Sequence, residues 1–478
     1  MDLNAKINYT YDNNSIIFFS MNHNTDHIYN PPLNEDFNYD IGWKNTTASI
    51  TWLKITSESL FLNLSAGFIN YIVKSALEDI KDSLADDYFS LSDLRDFFLK
   101  AHIEYNLNEN HKLKSGLEGT LHGYTLLNRN FYDPVLEVSP DFEEKLLYTE
   151  ASLFIQDEWK ILPTLSTNLG VRATYFKDSD SYKFEPRLSF IFALSDDFFV
   201  KGAYAVANQF LHLITRNDIT LPTDLWYPSS KKILPSNSTQ YVAGFDTYFN
   251  EKEYLFSVEA YYRTMENIYE FKNLLEFGRG ISIENNFTKG KGEAYGVEVF
   301  FNKRLGNFSG WLGYTLSWSR RLFNTLNAGK IFYPRYDRRH DVSLVLGYKV
   351  NDNFSLGLSW TFATGQGYTI PNAQYSFSPV GIIGSNERRV QFNYTTRNGY
   401  KLPDYHKLDL SANYKFELSG KQAEFFINLQ NVYNRKNAFA RYITYDIDEK
   451  TGEKSDIPRM KQITLIPFIP TAGFIIKF

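Results

Sequence analysis

Apolar and polar residues alternate at every second position along most of this 478-residue chain, and this pattern constrains the fold more than any other feature. From Val342 to Val350 the apolar side chains fall on every second residue, and the pattern recurs from Phe354 to Phe362. A period of two is typical of β-strands that have one apolar and one polar face. No run approaches 18 consecutive apolar residues, which excludes a bundle of membrane-spanning helices.

The connections between strand candidates alternate between very short and long. About nineteen candidates can be counted, and one segment, about 74–98, favours a short helix within a connection. The short connections lie near 12–14, 56–58, 108–110, 163–164, 196–197, 250–253, 306–307, 351–353 and 418–421. The long ones cover about 23–44, 71–94, 123–148, 207–236, 265–291, 320–337, 365–404 and 433–470, while 177–183 is short for its place.

This sorting of connections favours a membrane barrel over a soluble sandwich. Sandwiches mostly use short hairpin loops throughout, whereas outer-membrane barrels combine short periplasmic turns with long extracellular loops. We therefore predict an all-β protein, a large antiparallel up-and-down transmembrane β-barrel that crosses the outer membrane of a Gram-negative bacterium many times. A spanning sheet must close on itself, because every backbone polar group in lipid needs a protein partner.

The two faces of the strands then have different solvents. The apolar set would face lipid, and the aromatic residues, 17% of the chain, would anchor strand ends at the membrane surfaces. The opposite set would line a polar lumen. Its clearest members are Ser257, Glu259, Arg263, Glu298, Asp409, Asn413 and Lys415.

Composition and motifs exclude several other functions. The chain has no cysteine, so disulfides, thiolate metal sites and cysteine nucleophiles are excluded, and a net charge of −5 argues against nucleic-acid binding. His23 and His27 lie in a predicted loop without a third ligand, so we expect no metal site there. His102 and His122 fall on predicted strands and are expected to be lumen residues.

One grouping bears on catalysis. Asp337, His340 and Asp341 form the one tight Asp/His grouping, but the chain has no G-x-S-x-G nucleophile motif. We therefore expect no enzymatic activity and no cofactor.

Two sets of residues in the long connections are candidate ligand contacts. One is aromatic and polar, suited to stacking on a flat or sugar-like ligand, although an aromatic belt at the membrane surface with ordinary loop packing is the favoured interpretation. It comprises His212, Arg216, Trp226 and Tyr227. The other could attract an anionic ligand, although such charges commonly bridge to acidic neighbours or to lipopolysaccharide. It comprises Arg320, Arg335 and Arg338 with Arg321, Arg339 and His340.

Several stretches in a fixed order resemble one family of membrane proteins. They are LFIQDEWKILPTLSTNLGVRATYF (153–176), EPRLSFIFAL and KGAYAVANQF (185–210), LPSNSTQYVAGFDTYF (234–249), GEAYGVEVFFNKRLGNFSGWLGYTLSWS (292–319), RHDVSLVLGYKV (339–350), FATGQGYTIP (362–371), LPDYHKLDLSANYKF (402–416), FFINLQNVYNRKN (425–437) and GFIIKF (473–478). In this order they resemble the C-terminal barrel of TonB-dependent outer-membrane receptors.

The resemblance implies a barrel of about 22 strands with a plug inside it. Against that template, residues 1–478 would supply about nineteen strands of the barrel, and the signal peptide, the plug and the first strands would precede Met1. An odd strand count and the absence of a signal-peptide pattern in the first twenty residues agree with this expectation. No residue of this chain is then assigned to TonB contact. The chain's ending resembles the smaller receptors of the family rather than the glycan importers.

The resemblance also implies a function. Such a receptor would import a siderophore, cobalamin, haem or a similar scarce ligand, powered through the TonB complex. Its partners would be the small-molecule ligand, outer-membrane lipid and lipopolysaccharide, and TonB through a preceding N-terminal region. A passive porin-like channel is the first alternative, and an outer-membrane β-barrel enzyme is the second.

Overall fold

The computed structural model describes residues 2–30, 37–79, 88–129, 142–214, 225–272, 282–370, 373–377, 389–393, 396–447, 454–464 and 466–476. In these ranges the chain is almost entirely β-structure, with two single-turn 3-10 helices at Ile283–Asn286 and Asn327–Gly329. None of the helical segments within them has the length and apolar character needed to cross a lipid bilayer.

The strands are numbered in chain order. They are β1 (Asp2–Asp12), β2 (Ser15–Asn30), β3 (Phe37–Ser57), β4 (Leu60–Asp79), β5 (Tyr88–Asn106), β6 (His111–Arg129), β7 (Phe142–Leu162), β8 (Leu165–Phe176), β9 (Ser181–Ala193), β10 (Phe198–Gln209), β11 (Leu211–Ile214), β12 (Leu225–Pro228), β13 (Ser236–Phe249), β14 (Tyr254–Phe271), β15 (Phe287–Lys303), β16 (Phe308–Phe323), β17 (His340–Lys349), β18 (Phe354–Ala363), β19 (Gly367–Tyr368), β20 (Ala373–Phe377), β21 (Arg389–Asn393), β22 (Tyr400–Lys401), β23 (Tyr405–Leu418), β24 (Lys421–Gln430), β25 (Ala440–Ile447), β26 (Lys454–Ile463) and β27 (Ile469–Ile476).

Nineteen of these strands form one antiparallel sheet, and each pairs with the next sheet strand along the chain. The other eight form four hairpins in the long connections, β11 with β12, β19 with β22, β20 with β21 and β25 with β26. The short turns fall at the predicted places, for example between Asp12 and Ser15 and between Lys349 and Phe354. Within the described residues, the predicted all-β architecture, an antiparallel up-and-down sheet of about nineteen strands, is therefore confirmed.

The ladder registers separate the side chains into an inward and an outward face. Inward residues form ion pairs, such as Lys201 with Asp246 (2.8 Å) and Glu259 (2.5 Å), and Ser257 donates a hydrogen bond to the same aspartate. Outward residues such as Leu99 are large, apolar and exposed. Their exposure is the expected state of a surface whose solvent is hydrocarbon.

A row of outward aromatic rings crosses five consecutive sheet strands. Tyr204 of β10 is paired in register with Tyr241, which is paired with Tyr262, then Tyr295 and Trp318. The last two rings stack with centroids 5.3 Å apart. Rings with a polar tip suit the boundary between lipid and water, so this row is placed to anchor the sheet at the membrane surface.

Two predictions about local structure were wrong. The segment 74–98 contains no helix in its described residues, since β4 continues to Asp79 and β5 begins at Tyr88. His23 and His27 lie on β2 rather than in a loop, where they contact Thr46 (2.8 Å) and Asp40 (2.5 Å) of β3. Both errors have the same cause, because these strands pair well beyond the length that a bilayer requires.

The predicted strand placement of two other histidines is confirmed. His102 lies on β5 and contacts Glu118 of β6 at 2.9 Å, and His122 lies on β6 and contacts Asp96 of β5 at 2.8 Å. All four side chains occupy the inward face, as expected of lumen residues.

Candidate ligand-binding site

The long connection between β10 and β13 folds into a hairpin, β11–β12, that is anchored by an apolar core. Phe210 stacks on Phe176 of β8 with centroids 4.9 Å apart, and Ile214 of the hairpin is fully buried. The core also includes inward residues of β6 and β7 and rings of β14 and β15, so it joins distant parts of the sheet. Its members are Tyr124, Leu126, Tyr148, Phe176, Phe210, Ile214, Leu225, Tyr227, Ile233, Tyr269, Phe271, Ile283 and Phe287.

His212 fastens the hairpin to the sheet. Its Nδ1 lies 3.0 Å from the Ser236 hydroxyl, which donates its own hydrogen to the Asn267 carbonyl at 2.6 Å. Because that hydroxyl has only one hydrogen, Nδ1 of His212 must be the donor, and Nε2 accepts from Ser229 at 2.9 Å. Burial of this imidazole lowers the pKa of His212 from 6.5 to about 4. The histidine is therefore a neutral structural residue at neutral pH.

Acidification is expected to loosen the hairpin. The pKa of His212 is lower when the β11–β12 hairpin is docked on the sheet than when the hairpin is released. Docking of the hairpin is therefore strongest above pH 6.5 and weakens as the pH falls towards 4. The full effect is about 3 kcal/mol in the free energy of docking. A spin label on Leu213→Cys, in a chain that has no other cysteine, should become more mobile between pH 7.5 and 4.5.

Two further variants complete the pH measurement. His212→Asn is expected to remove the pH dependence, and a label on Ser195→Cys in the short turn after β9 serves as the control site. Equal label mobility at the two pH values in the parent chain would contradict this account of His212.

Tyr227 and Trp226 have different environments. Tyr227 is buried, donates a hydrogen bond to the Glu144 carboxylate (3.3 Å) and packs edge-on against Phe287 (5.1 Å). The Trp226 carbonyl accepts a hydrogen bond from the Tyr124 hydroxyl, and its half-buried side chain lines a cavity. Of these two rings, Trp226 is the one that lines the cavity.

The cavity beneath the hairpin has a volume of about 430 Å³ and a mainly polar wall. Glu185 is almost fully buried there, accepts a hydrogen bond from the Asn208 amide (2.8 Å) and pairs with Arg187 (3.1 Å). Small-molecule sites commonly have volumes of about 300–1,000 Å³. The lining comprises His122, Tyr148, Glu150, Arg172, Thr174, Phe176, Glu185, Arg187, Ala207, Asn208, Gln209, Phe210, Leu211 and Trp226.

Charged residues of both signs continue from the cavity down the inner wall. Arg172 pairs with Glu118 at 2.7 Å and lies 4.0 Å from Glu150. His122 lies between Asp96 (2.8 Å) and Glu150 (3.8 Å). The wall therefore offers paired donors and acceptors to a polar ligand rather than one net charge.

The predicted arginine set is divided by strand geometry. Arg320 faces outward, where it lies 3.4 Å from Glu293 and over the Tyr295 ring. Arg321 is the next residue on β16 and therefore faces inward. It pairs with Glu270 at 2.6 Å. The structure does not bring Arg320 and Arg321 to one site.

The remaining candidates lie in or near the following connection. Arg335 is exposed, and its carbonyl accepts a hydrogen bond from the Gly367 amide. Arg338 is half-buried, and its carbonyl accepts from the Ser317 hydroxyl. Arg216 lies outside the described residues, so its role remains a prediction.

Glu270 and Arg397 were missed in the sequence analysis. Glu270 is only 1% exposed. One of its carboxylate oxygens forms an ion pair with Arg321 and the other with Arg397, and each N–O distance is 2.6 Å. A bulge at Asn267, whose φ is +53°, shifts the register between β14 and β15 and turns Glu270 inward. Asn adopts the left-handed conformation more readily than most residues, so Asn267 could have suggested a bulge. No sequence signal indicates that Arg397, 127 residues away, is a partner of Glu270.

The Asp/His grouping does not form a catalytic constellation. Asp337 is buried, accepts a hydrogen bond from the Ser319 amide (2.8 Å) and pairs with Arg339 (3.3 Å). His340 faces outward and contacts the Tyr314 hydroxyl at 2.9 Å, while the adjacent Asp341 faces inward. Across the described ranges, no three His, Asp or Glu side chains are grouped closely enough to hold a metal ion.

Comparisons with known proteins identify the same architecture. A family model described as TonB dependent receptor-like, beta-barrel matches residues 2–432. The ferric-catecholate import receptor Fiu from E. coli K12 superposes with a TM-score of 0.62 at 11% identity, covering 99% of this chain and 73% of Fiu. No curated protein sequence matches the chain significantly.

Two further solved structures are similar in fold. FpvA of P. aeruginosa, solved with heterologous pyoverdines, gives a TM-score of 0.59 at 13% identity, covering 96% of this chain and 65% of FpvA. The copper transporter OprC gives 0.60 at 11% identity, covering 91% of this chain and 66% of OprC. This chain therefore spans just under two thirds of the length of FpvA.

Proposed function

Because the chain belongs to the TonB-dependent receptor-like β-barrel family, we propose that it forms the barrel of an outer-membrane importer for a scarce small ligand. The ligand would enter from the side of the long connections and bind at the cavity beneath β11–β12. Energy would come from the inner-membrane proton gradient through TonB. A plug and signal peptide in a preceding region are part of this proposal, and no described residue is assigned to TonB contact.

The observation that carries the proposal is the polar cavity under an anchored hairpin. Trp226 supplies a ring, Arg172 and Arg187 supply donors, and Glu150 and Glu185 supply acceptors. Such a mixture suits a compact polar ligand of siderophore size better than a single small anion. Fiu and FpvA are named for iron-carrying ligands and OprC for copper, so the ferric siderophore class is the first to test. In this account the chain performs no covalent chemistry.

Uptake by cells tests the proposal directly. A deletion strain should lose growth on one member of a panel of ferric siderophores, cobalamin and haem under limitation, and the complete gene should restore it. Radiolabelled uptake should stop when a protonophore collapses the proton gradient. Uptake that persists with the protonophore would instead support a passive porin-like channel, and unchanged growth on the whole panel would refute the import proposal.

A variant pair then places the ligand. Trp226→Ala is expected to raise the half-saturating concentration for uptake about tenfold, since a buried aromatic contact commonly contributes more than 1 kcal/mol to binding. Trp318→Ala, which removes an outward ring of the aromatic row, is the matched control and should leave that concentration unchanged. Equal effects of the two variants would exclude the cavity as the ligand site.

A further inference from the structure

One carboxylate that lines the cavity beneath β11–β12 has no close protein partner. This residue is Glu150 of β7, whose oxygens lie 3.8 Å from Nε2 of His122 and 4.0 Å from the Arg172 guanidinium. Within the described residues its carboxylate accepts no hydrogen bond, although only 25% of the side chain is exposed. A mostly buried acceptor without a hydrogen bond is unfavourable, so Glu150 is available to a donor that a ligand brings.

The two basic neighbours of Glu150 are each held more closely by another carboxylate. Nδ1 of His122 lies 2.8 Å from Asp96. Arg172 pairs with Glu118 at 2.7 Å. Because both neighbours have a nearer anionic partner, neither of them fully balances the charge of Glu150.

The remaining cation of the cavity is also engaged. Arg187 pairs with Glu185 at 3.1 Å, and the same buried carboxylate accepts a hydrogen bond from the Asn208 amide. An anionic ligand group would therefore compete with a carboxylate at every cation of the cavity. A cationic group meets no such competition at Glu150.

Aromatic rings surround this carboxylate. Glu150 is paired in register with Phe176 of β8, which stacks on Phe210 and lies 5.3 Å from the Tyr148 ring. Trp226 lines the same cavity and packs against the same core. The faces of aromatic rings attract cations, and the face of tryptophan does so most strongly. A carboxylate set among such rings suits an organic ammonium group, which gains a charge-assisted hydrogen bond as well.

We propose that Glu150 and Trp226 form a subsite for a protonated amine, so that the ligand of this cavity carries a free alkylammonium group. The inference rests on the proposed function, because it names the chemical class of the ligand that the importer selects. The ammonium group donates a hydrogen bond to the Glu150 carboxylate, and its charge lies against the Trp226 ring. A neutral group at this place leaves the carboxylate without a counter-charge, and an anionic group is repelled. Glu150 is thus the residue that determines specificity for charge.

Small probes of similar size and different charge test the subsite in the purified full chain. The protein is labelled with fluorotryptophan in detergent micelles, and the fluorine signal of Trp226 is identified by its loss in Trp226→Phe. This signal is followed during titrations with butylammonium, butanol and butyrate. Butylammonium is expected to bind about tenfold more tightly than the other two probes, the effect of one charge-assisted hydrogen bond. Glu150→Gln keeps the shape of the side chain and should reduce the preference to below about twofold, since a neutral amide replaces the charge.

The matched control makes the same substitution on another part of the inner wall. Glu298 is an inward, exposed carboxylate of β15, a strand that contributes no residue to the cavity lining described here. Glu298→Gln should keep the preference of the parent chain. Equal binding of the three probes, an unchanged Trp226 signal with butylammonium, or the same preference in both variants would overturn the proposal. Heat-dependent gel migration checks folding, and if Glu150→Gln does not fold, the probe comparison in the parent chain decides.

The titration and the uptake assay can fail separately. A chain that imports a member of the panel but shows no preference for butylammonium refutes the ammonium subsite alone. A chain that prefers butylammonium while the deletion strain grows unchanged on the whole panel refutes the import proposal and leaves the subsite in place.

Discussion

Replacing Glu270 with alanine is expected to lower the free energy of unfolding by about 3–5 kcal/mol, the cost usually seen when one partner of a buried ion pair is removed. The Glu270 carboxylate holds Arg321 of β16 and Arg397 of a distant connection, each at 2.6 Å. Both guanidinium groups are largely shielded from water, with side chains 13% and 11% exposed. The variant removes the carboxylate that balances these two buried charges.

The cluster also positions two of the long connections. The Arg397 amide donates a hydrogen bond to the Asn327 side chain at 3.0 Å, and its guanidinium lies 5.6 Å from the Phe332 ring. Phe332 belongs to a second small apolar core with Phe323 and Leu326. Loss of Glu270 should therefore release residues 324–339 and 396–404 from the end of β14 and increase their protease sensitivity.

Denaturant titrations in detergent micelles measure this effect. Glu293→Ala is the matched control, because its pair with Arg320 is 3.4 Å long and about one third exposed at both ends, and such pairs contribute about 0–1 kcal/mol. The triple replacement Glu270→Leu/Arg321→Met/Arg397→Met should recover much of the stability lost in Glu270→Ala. Equal losses in Glu270→Ala and Glu293→Ala would show that the cluster is not a buried ion pair in solution.

The sheet could be predicted from the sequence because each strand separates two solvents. Phe354 to Phe362 alternates without interruption, and the structure places it as β18, paired on both sides in register. The short turns were equally predictable, since they are the places where the alternation stops for only a few residues. These features depend on local sequence and on one physical boundary.

The candidate site could be predicted only in part. Placing His212, Trp226 and Tyr227 together was possible because they share one connection, and the structure pairs His212 with Tyr227 across β11–β12. That His212 is neutral and buried depends on Ser236 and Asn267, which no local pattern identifies. Arg320 and Arg321 are adjacent in sequence but face opposite solvents, so a group of charges in sequence does not predict a group in space.

Strand length was the other source of error. Long connections were predicted at about 23–44, 71–94 and 123–148, but β2 to β7 continue into these ranges and carry residues such as His23 and Asp93. Hydrogen bonding between neighbouring strands needs no lipid, so nothing in the physics ends a strand at the membrane surface.

Placing an arginine on the outward face of β17 is the most direct test of which face of the sheet contacts lipid. Leu344 faces outward between Leu312 and Trp360, and the preceding Ser343 faces inward between Gly313 and Thr361. Leu344→Arg is expected to destabilise the folded barrel by about 2–4 kcal/mol, because an arginine at mid-depth loses its hydration to hydrocarbon. Ser343→Arg introduces the same side chain one residue away into a polar lumen and should change stability by less than about 1 kcal/mol. Reversible unfolding in lipid vesicles measures both variants, and a larger loss for Ser343→Arg would mean that the two faces are assigned the wrong way round.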